Sequence, residues 1–353
     1  MKQENKTKST EYNLIDAPHI YIGLEKNELM LKTFLMMSII AIASVIILGV
    51  PALIHILTAL GTVLIVYGAI SSYQKWKGIP LTYESPASPM VAGLIVGLAM
   101  PIGGPYEITA AVAFVMIVVF KYGQGRYFSR KYLNPVVAAK VILLVALSAM
   151  IFLEDSLGLG LIFHPHHLEL NLFTPQGFQD SMWIFQGKTI PFLGIELTAA
   201  QALFFWQTHG WIGGACGVLV LVVGSIAAYW LKFKWRIIVS TLTVLTLLAV
   251  LYGFMVGGDP LLRIAFHVFT GSSIFLIFFM ATEPQSTPMP EISQYLFGAL
   301  LGAGTFVLQL FNVLGGSIIA LLILNLATPF FDKLVLRTPF GLKESNNEST
   351  GGE

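Results

Sequence analysis

The stretch LKTFLMMSIIAIASVIILGVPALIHILTALGTVLIVYGAI, residues 31–70, decides the fold of this chain. Between Lys32 and Lys75 the chain carries no Asp, Glu, Lys or Arg, and Pro51 divides the stretch into two apolar runs long enough to span a membrane. Each backbone N–H and C=O group in the hydrocarbon core must be paired within its own segment, so runs of this kind become helices. The stretch therefore predicts two consecutive transmembrane helices.

The composition extends this prediction to the whole chain. Of the 353 residues, 56% are hydrophobic and 11% are charged, whereas a soluble domain has about 25% charged residues. The net charge of +1 by itself says nothing about nucleic acid, and the sequence has no basic domain, so we expect no nucleic-acid partner. The single cysteine, Cys216, excludes an internal disulfide and an iron–sulfur cluster held by this chain alone. The predicted fold class is an all-α integral membrane protein in a lipid bilayer.

Apolar runs recur along the chain and predict about ten transmembrane helices, half of them on each side of a polar loop. The runs lie at 33–50, 52–72, 89–102, 105–121 and 135–153, then at 211–231, 237–257, 261–281, 294–313 and 316–332. The predicted parts are a cytoplasmic N-terminal segment (1–30), a first membrane half (31–153), an extracytoplasmic loop (154–209), a second membrane half (210–335) and a disordered cytoplasmic tail (336–353). The polar N-terminal segment lacks the apolar core of a cleavable signal peptide.

Lysine and arginine predict the orientation, because they concentrate on the cytoplasmic side of a membrane. They cluster before the first run and after the second, fourth, sixth and tenth runs. The loop 154–209 contains only Lys188 against five acidic residues and is therefore predicted to face outward. Both termini are then cytoplasmic. An odd number of spans in each half makes the second half inverted, which is a common transporter arrangement.

Short runs interrupted by proline and glycine occupy comparable places in the two halves. SPASPMVAGLIVGLAM (85–100) opens the third run, and QSTPMPEISQYLFGALLGAG (285–304) lies near the corresponding place in the second half. Asn134 with Pro135, and Asn325, likewise mark the last run of each half. Such interruptions point to a central site, where helix N-termini attract anions or polar groups. The alternative is that these residues only mark helix ends.

Ionisable residues within apolar runs are costly and often functional. Asp259 and Arg263 stand at the outer start of the eighth run, and His267 follows on the same helical face. They form either an entrance for protons or ions, or an interfacial ion pair beside a hydrogen-bonded histidine. Lys140, inside the fifth run, either snorkels toward the cytoplasmic side or faces a buried phosphate or flavin edge.

Two further features suggest metal chemistry at first sight. His164, His166 and His167 lie in the outer loop, but no convergent set with the spacing of a metal site accompanies them, so we expect no metal. Cys216 borders a glycine-rich helix start and is expected to be a small packing residue. A cluster ligand shared with another subunit is the alternative for this cysteine.

Several segments together carry a family resemblance. The chain resembles the membrane-subunit family that contains RnfD and NqrB, which belong to the Rnf and the Na⁺-pumping NADH:quinone reductase complexes. The FMATEP…STP piece is the most specific part of the resemblance. The matching segments are APHI (17–20), SPMVAGLIVGLAMP (88–101), KYGQGRYFSRKYLNPVVAA (121–139), GDPLLRIAFHVFTGSSIFLIFFMATEPQSTP (258–288) and LLILNLATPFFDK (321–333).

The resemblance implies a multi-pass protein of the inner (cytoplasmic) membrane that passes electrons through flavin, coupled to Na⁺ or H⁺ translocation. It implies FMN and/or riboflavin as cofactors and other membrane, flavin and iron–sulfur subunits as partners. The family attaches one FMN to the threonine of an outer (S/T)GAT motif. That motif is absent here, and Thr198 in ELTAAQ is the candidate by order, with Glu196 nearby to repel a phosphoester. Such a chain is a non-autonomous subunit of an ion-translocating oxidoreductase, a translocase.

The resemblance and the interruptions also give candidate site residues. Asn134 would hydrogen-bond a flavin or the opposite half-helix, and Glu283 would orient backbone amides or meet a cofactor or ion. Each residue has an alternative role as a helix cap or turn residue. A transporter or channel, or a scaffold subunit without cofactors, are the alternative functions on the same fold. The candidates for cofactor binding are Thr198, Asn134, Pro135, Lys140, Thr282, Glu283 and Thr287, and those for the ion pathway are Asp259 and His267.

Overall fold

The computed structural model describes residues 26–127, 132–142, 145, 188–190, 194–207, 210–256, 259–270, 273–311 and 315–334. Most of these residues are helical. The helices are α1 (Lys26–Leu48), α2 (Val50–Trp76), α3 (Ala87–Leu98), α4 (Tyr106–Gly123, π-helical from Met116), α5 (135–142), α6 (Ala199–Phe205), α7 (Gly217–Trp230), α8 (Trp235–Val256), α9 (Pro260–Phe269), α10 (Ser273–Met280), α11 (Glu291–Phe311) and α12 (Gly316–Leu334).

Within the described residues, six helices are long and apolar enough to cross a membrane, namely α1, α2, α4, α8, α11 and α12. Helices α9 and α10 form one further span if they are counted together, and their axes differ by 59°. Helices α3 and α7 are shorter and also apolar. The helical membrane fold is thus confirmed, while the count of ten spans, the inverted repeat and the side of the termini stay predictions.

A hairpin departs from the purely helical pattern in the predicted outer loop. Strands β1 (Lys188–Ile190) and β2 (Ile195–Leu197) pair antiparallel, with Lys188 opposite Leu197. Gly194, at the turn, has φ of 62°, a left-handed conformation that glycine adopts without strain. The sequence pattern predicted only a loop here, because three-residue strands are too short to recognise.

The junction between α1 and α2 follows from two residues. Gly49 has φ of 76°, which ends α1 by turning the chain out of the right-handed helix. Pro51 lies in the first turn of α2, where its missing N–H would have had no helical partner. The proline therefore begins a helix here, as the sequence predicted from its place between two apolar runs.

Glycines allow the closest helix contacts. Gly298 and Gly302 of α11 form a G-x-x-x-G pair against α8, and a Cβ atom at Gly302 would lie 2.6 Å from the Thr241 carbonyl oxygen. On the other half, a Cβ atom at Gly97 of α3 would lie 2.9 Å from the Cα atom of Ile56 in α2. Both halves thus contain a pair of helices whose backbones touch through glycine.

The end of α3 joins the two halves. With 12 residues, α3 is about 18 Å long, well short of a hydrocarbon core of about 30 Å. Its last backbone groups therefore need partners inside the protein. Ile212 donates its N–H to the Met100 carbonyl (3.0 Å), and Ile102 donates its N–H to the Gly210 carbonyl (3.3 Å). We call this contact between residues 99–102 and 210–212 the central pairing.

Candidate functional site

Two buried asparagines connect the last helices of the two halves. The Asn134 backbone N–H donates to Oδ1 of Asn325 (3.1 Å), and Nδ2 of Asn134 donates to the carbonyl of Met280 (3.0 Å), the last residue of α10. The Asn325 amide in turn donates to the Leu321 carbonyl (2.8 Å) within α12. The Asn134 side chain thus contacts the opposite half of the protein, and a contact between this side chain and a flavin stays a prediction.

Asn134 also starts α5. Its Oδ1 accepts hydrogen bonds from the backbone N–H groups of Val136 (3.0 Å) and Val137 (3.3 Å), which have no partner within the helix. Pro135 occupies the first helical position, where its missing N–H costs nothing. One asparagine therefore both caps its own helix and holds α10 of the other half. This is the physical reason for the Asn-Pro pair that stands out in the sequence.

The segment between α10 and α11 is the second part of the site, and we call residues 281–290 the proline loop. The ammonium of Lys234, just before α8, donates to the carbonyls of Pro284 (3.2 Å), Thr287 (3.0 Å) and Pro288 (3.0 Å) and to Oγ1 of Thr287 (2.8 Å). From α12, Oγ1 of Thr328 donates to the Ser286 carbonyl (2.9 Å). The proline loop is therefore fixed from two sides.

Glu283 begins the exposed part of the proline loop and is half-buried. Its Oε2 accepts a hydrogen bond from Oγ of Ser286 (3.2 Å). The hydroxyl of Thr287 donates to the Glu283 carbonyl (2.6 Å), and that of Thr282 donates to the Phe278 carbonyl (2.6 Å). The two threonines thus shape the backbone on either side of Glu283, whose carboxylate is the charged group of the loop.

Tyr83 lies between α2 and α3 in the first half and interacts electrostatically with Glu283 of the second half. Burial raises the pKa of the Tyr83 phenol above its usual range, and the neighbouring Tyr122 phenol and Glu283 carboxylate raise it further. The Tyr83 ring packs edge-on against Tyr122 at 5.1 Å, and the Lys121 ammonium lies 5.3 Å from the centre of the Tyr83 ring. The structure therefore places the residues just before SPASPM near the proline loop. We call Tyr83, Tyr122, Lys121 and Glu283 the tyrosine cluster.

Lys140 lies at the central pairing. Its side chain is buried, its ammonium donates to the Ala99 carbonyl at the end of α3, and it packs on the face of the Trp211 ring. The lysine therefore extends into the protein and does not snorkel toward the cytoplasmic surface, which was one of its two predicted roles. Its contacts connect the end of α3 to the start of the second half.

The candidate ion-pathway residues lie along α9. Asp259 is exposed and caps the helix, since its Oδ1 accepts from the Leu261 N–H (2.9 Å). The Arg263 guanidinium lies 4.7 Å from the centre of the Tyr252 ring, and Nδ1 of His267 is 2.9 Å from Oε1 of Gln309 in α11. Asp259, Arg263 and His267 thus follow one another along α9 from its exposed start inward.

Thr198 occupies an exposed helix start. Its Oγ1 accepts from the Gln201 N–H (3.4 Å), and Oε1 of Gln201 accepts from the Thr198 N–H (3.0 Å), which makes a capping box at the start of α6. The Thr198 hydroxyl oxygen thus serves as a helix cap, and attachment of FMN to it stays a prediction. Cys216 stands at the cap position of α7 and is half-buried. His164, His166 and His167 lie outside the described residues.

Together these contacts define a class of protein: a multi-pass helical membrane protein in which broken helices and a proline loop from two halves meet at polar, buried contacts. The chain belongs to the NQR2, RnfD, RnfE family, whose model matches residues 13–341. This confirms the family resemblance, and with it the predicted kind of protein, a membrane component of an ion-translocating electron-transport complex.

Relatives in this family match the chain at low identity. The RnfD-type component of the ion-translocating oxidoreductase complex of Shewanella piezotolerans is 22% identical over 94% of this chain and 98% of its own. A component of the proton-translocating ferredoxin:NAD(+) oxidoreductase complex of Clostridium ljungdahlii is 24% identical over 96% and 99%. The NqrB-type component of the Na(+)-translocating NADH-quinone reductase of Pseudoalteromonas atlantica is 24% identical over 70% and 59%.

Sequence reasoning missed several residues of these contacts. Lys234 counted only as a marker of the cytoplasmic side, and its bonds to the proline loop reach 50 to 54 positions along the chain. Tyr83 and Tyr122 gave no signal, because single tyrosines near helix ends are common in membrane proteins. Gln309 is the exception: an amide inside an apolar run is costly in lipid and could have been singled out.

Proposed function

We propose that this chain binds flavin and transfers electrons through the inner (cytoplasmic) membrane, as part of a complex that moves Na⁺ or H⁺. The observation that carries the proposal is the tyrosine cluster, in which residues of both halves meet beside the proline loop. The names of the relatives, which describe components of ion-translocating oxidoreductases, support the same function.

The side chains of this chain give little support for a redox group other than a flavin. A protein-held iron–sulfur cluster takes about four thiolates, and the chain has one cysteine. Among the described residues, no group of three or more His, Cys, Asp or Glu side chains could hold a metal ion. A flavin needs neither kind of ligand, and it supplies one- and two-electron chemistry when it is bound.

The tyrosine cluster offers the contacts that an isoalloxazine ring uses. Tyr83 and Tyr122 present buried aromatic surface, and the Tyr122 hydroxyl lies beside the Ser71 hydroxyl. A ring with polar edges would exchange hydrogen bonds with these two hydroxyls. The Lys121 ammonium lies 5.3 Å from the centre of the Tyr83 ring. Its positive charge would favour the reduced, more negative form of a flavin bound beside this ring.

The neighbouring subunits are proposed to be other membrane proteins and flavin or iron–sulfur proteins. The cluster contains Lys121, and Lys75 and Lys77 shortly precede Tyr83 in the sequence, so it lies on the side that the distribution of lysine and arginine predicts to be cytoplasmic. Electrons from a soluble donor protein would enter on this side. Asn134 and the proline loop hold α10 and α12 against α5. These contacts fix the positions of the two halves of the entry site relative to each other.

Cofactor extraction tests the proposal directly. The complex that contains this chain is purified, the chain is separated, and its intact mass and the flavin released on denaturation are measured. We expect released FMN or riboflavin. A mass increment of FMN that is absent in Thr198→Val and present in Thr198→Ser would assign covalent attachment to Thr198. Absence of flavin from the chain, both alone and in its complex, would contradict the proposal and favour a scaffold role.

A second experiment locates the flavin. Tyr122→Phe removes only the buried hydroxyl, and we expect the purified complex to retain less flavin per chain than the wild type. Tyr229→Phe is the matched control, because Tyr229 of α7 is 82% exposed and is not among the candidate cofactor-binding residues. Equal flavin content in Tyr122→Phe and wild type would remove the tyrosine cluster from the site.

A further inference from the structure

The side chain of Gln309 in α11 has one permitted orientation. Oγ of Ser273 donates to the Thr270 carbonyl (3.1 Å), so this oxygen accepts from Nε2 of Gln309 (2.7 Å). Nε2 of Gln309 also donates to the His267 carbonyl (3.2 Å). A reversed amide would set its oxygen against that carbonyl. The amide oxygen therefore faces Nδ1 of His267, at 2.9 Å.

This orientation fixes the tautomer of His267. An amide oxygen can only accept, so Nδ1 of His267 carries a hydrogen and donates it to Gln309. In the neutral ring the lone pair then belongs to Nε2. That nitrogen is buried and has no hydrogen-bond partner among the described residues, and the residue is 1% exposed. A buried acceptor of this kind requires an explanation.

The described surroundings of His267 contain no anion that would hold a metal ion. The Phe306 ring of α11 lies 4.7 Å from the imidazole, and α6 contributes the buried Ala202 and Leu203 to the cluster around the neighbouring Phe266. The titratable groups on this side are Arg263, one turn away on α9, and Tyr252 of α8, over which the Arg263 guanidinium lies at 4.7 Å. These surroundings are aromatic, amide and cationic.

His267 also ends a polar path. Asp259, Arg263 and His267 are spaced by four residues and share one face of α9, which runs from an exposed start to a buried end. The helix stops at Phe269, and α10 continues at an angle of 59°. His267 therefore lies less than one turn before the place where this span bends, with a carboxylate at the exposed end of the path.

We propose that Nε2 of His267 accepts the translocated ion and that this ion is a proton. The inference rests on the proposed function, since translocation needs the redox complex. A proton delivered by water forms the N–H bond at Nε2, and Nδ1 keeps its own hydrogen on Gln309. The proton leaves when the same N–H bond breaks toward water on the other side of the bend. Na⁺ binds through several oxygen ligands, whereas a proton needs only this lone pair.

Nuclear magnetic resonance tests the tautomer without any redox partner. The protein is labelled with ¹⁵N-histidine, placed in lipid nanodiscs and compared with His267→Gln, which identifies the His267 signals. At neutral pH we expect a neutral ring with hydrogen on Nδ1 and a bare Nε2. Gln309→Leu should shift His267 toward the other tautomer. A hydrogen on Nε2 of the neutral wild-type ring would overturn the assignment.

A measurement of proton transport tests whether His267 accepts the translocated proton. The complex is reconstituted in vesicles containing a pH-sensitive dye, and electron donor is added. In the complex that carries His267→Gln, we expect the flavin to be reduced at a rate within twofold of wild type. We expect the same complex to move at least tenfold fewer protons per electron. A proton-to-electron ratio equal to that of wild type would overturn the proposal, as would Na⁺ movement that persists without proton movement.

His55 of α2 is the matched control. It is 0% exposed, its Nδ1 is 2.7 Å from Oγ1 of Thr109, and its ring lies 4.7 Å from Tyr106, so its local geometry repeats that of His267. Pro51 and Ala59 stand four residues to either side of it, so no ionisable side chain of α2 lies beside it on the same face. We expect His55→Gln to keep proton transport, and equal loss in both variants would overturn the proposal. If the wild-type complex reduces no flavin, the proposed function is refuted instead. The nuclear magnetic resonance experiment then remains the only test of the His267 assignment.

Discussion

Replacing Asn134 by alanine should destabilise the fold by about 3 kcal/mol. The substitution removes the cap of α5, because Oδ1 accepts from the N–H groups of Val136 and Val137, and loss of such a cap costs about 1 kcal/mol. It also removes the shorter hydrogen bond of the buried Met280 carbonyl, which keeps only the longer one from the Glu283 N–H (3.4 Å), and this loss costs about 2 kcal/mol. The bond from the Asn134 backbone to Asn325 remains, since it uses no side-chain atom of Asn134.

Serine at the same position separates the two contributions. A serine hydroxyl caps a helix about as well as an asparagine, but it is too short to reach Met280. We therefore expect Asn134→Ser to cost about 2 kcal/mol, about 1 kcal/mol less than Asn134→Ala. The free energy of unfolding is measured in mixed micelles by denaturant titration, with the fluorescence of the six tryptophans as the signal.

Two results would refute this reasoning. If both variants lie within about 0.5 kcal/mol of wild type, the asparagine does not hold the halves together, since that range is typical of surface substitutions. If serine costs as much as alanine, the cap contributes nothing and the Met280 contact carries the whole effect. Either outcome would also weaken the structural explanation of the Asn-Pro pair.

Three further predictions concern the proline loop and the helix contacts. Glu283→Gln keeps the bond from Ser286 and should leave stability within about 0.5 kcal/mol of wild type, while electron transfer through the complex is lost; simple instability would instead indicate a structural cap. Gly302→Ala should destabilise the protein by about 2 kcal/mol, because the new methyl group meets the α8 backbone at 2.6 Å. Gly304→Ala is the control: its nearest contact is 3.4 Å, and it should stabilise the protein by about 0.5 kcal/mol. Lys234→Met should speed amide hydrogen exchange at Gln285, Ser286 and Thr287, which lie between the two prolines, and Lys232→Met, an exposed neighbour, should not; equal exchange in the two variants would show that the ammonium does not fix the loop.

The apolar runs predicted the helices well where a helix ends at a chemical signal. The run at 237–257 became Trp235–Val256, and the run at 316–332 became Gly316–Leu334. Glycine, proline and lysine mark these ends in the sequence itself. The bend between α9 and α10 was not predicted, since the run at 261–281 is continuous in composition and the break depends on tertiary contacts.

The site was predictable where a residue is unusual for its place in the chain. Asn134, Asn325 and Glu283 stood out as polar groups at the ends of apolar runs, and the structure puts all three in buried or half-buried contacts. Their partners did not stand out. Met280 contributes only a backbone carbonyl, which every residue has, and Lys234 had already been explained by the orientation of the chain. Sequence patterns thus identify unusual side chains, and the fold supplies their partners.

The central pairing has a consequence for the synthesis of the protein. The Met100 carbonyl and the Ile102 N–H find their partners at Ile212 and Gly210, more than a hundred residues later in the chain. While the ribosome is still making the second half, the end of α3 lacks these partners in the membrane. The first half is therefore an unfinished insertion intermediate, and it becomes a stable unit only when the start of the second half arrives beside it.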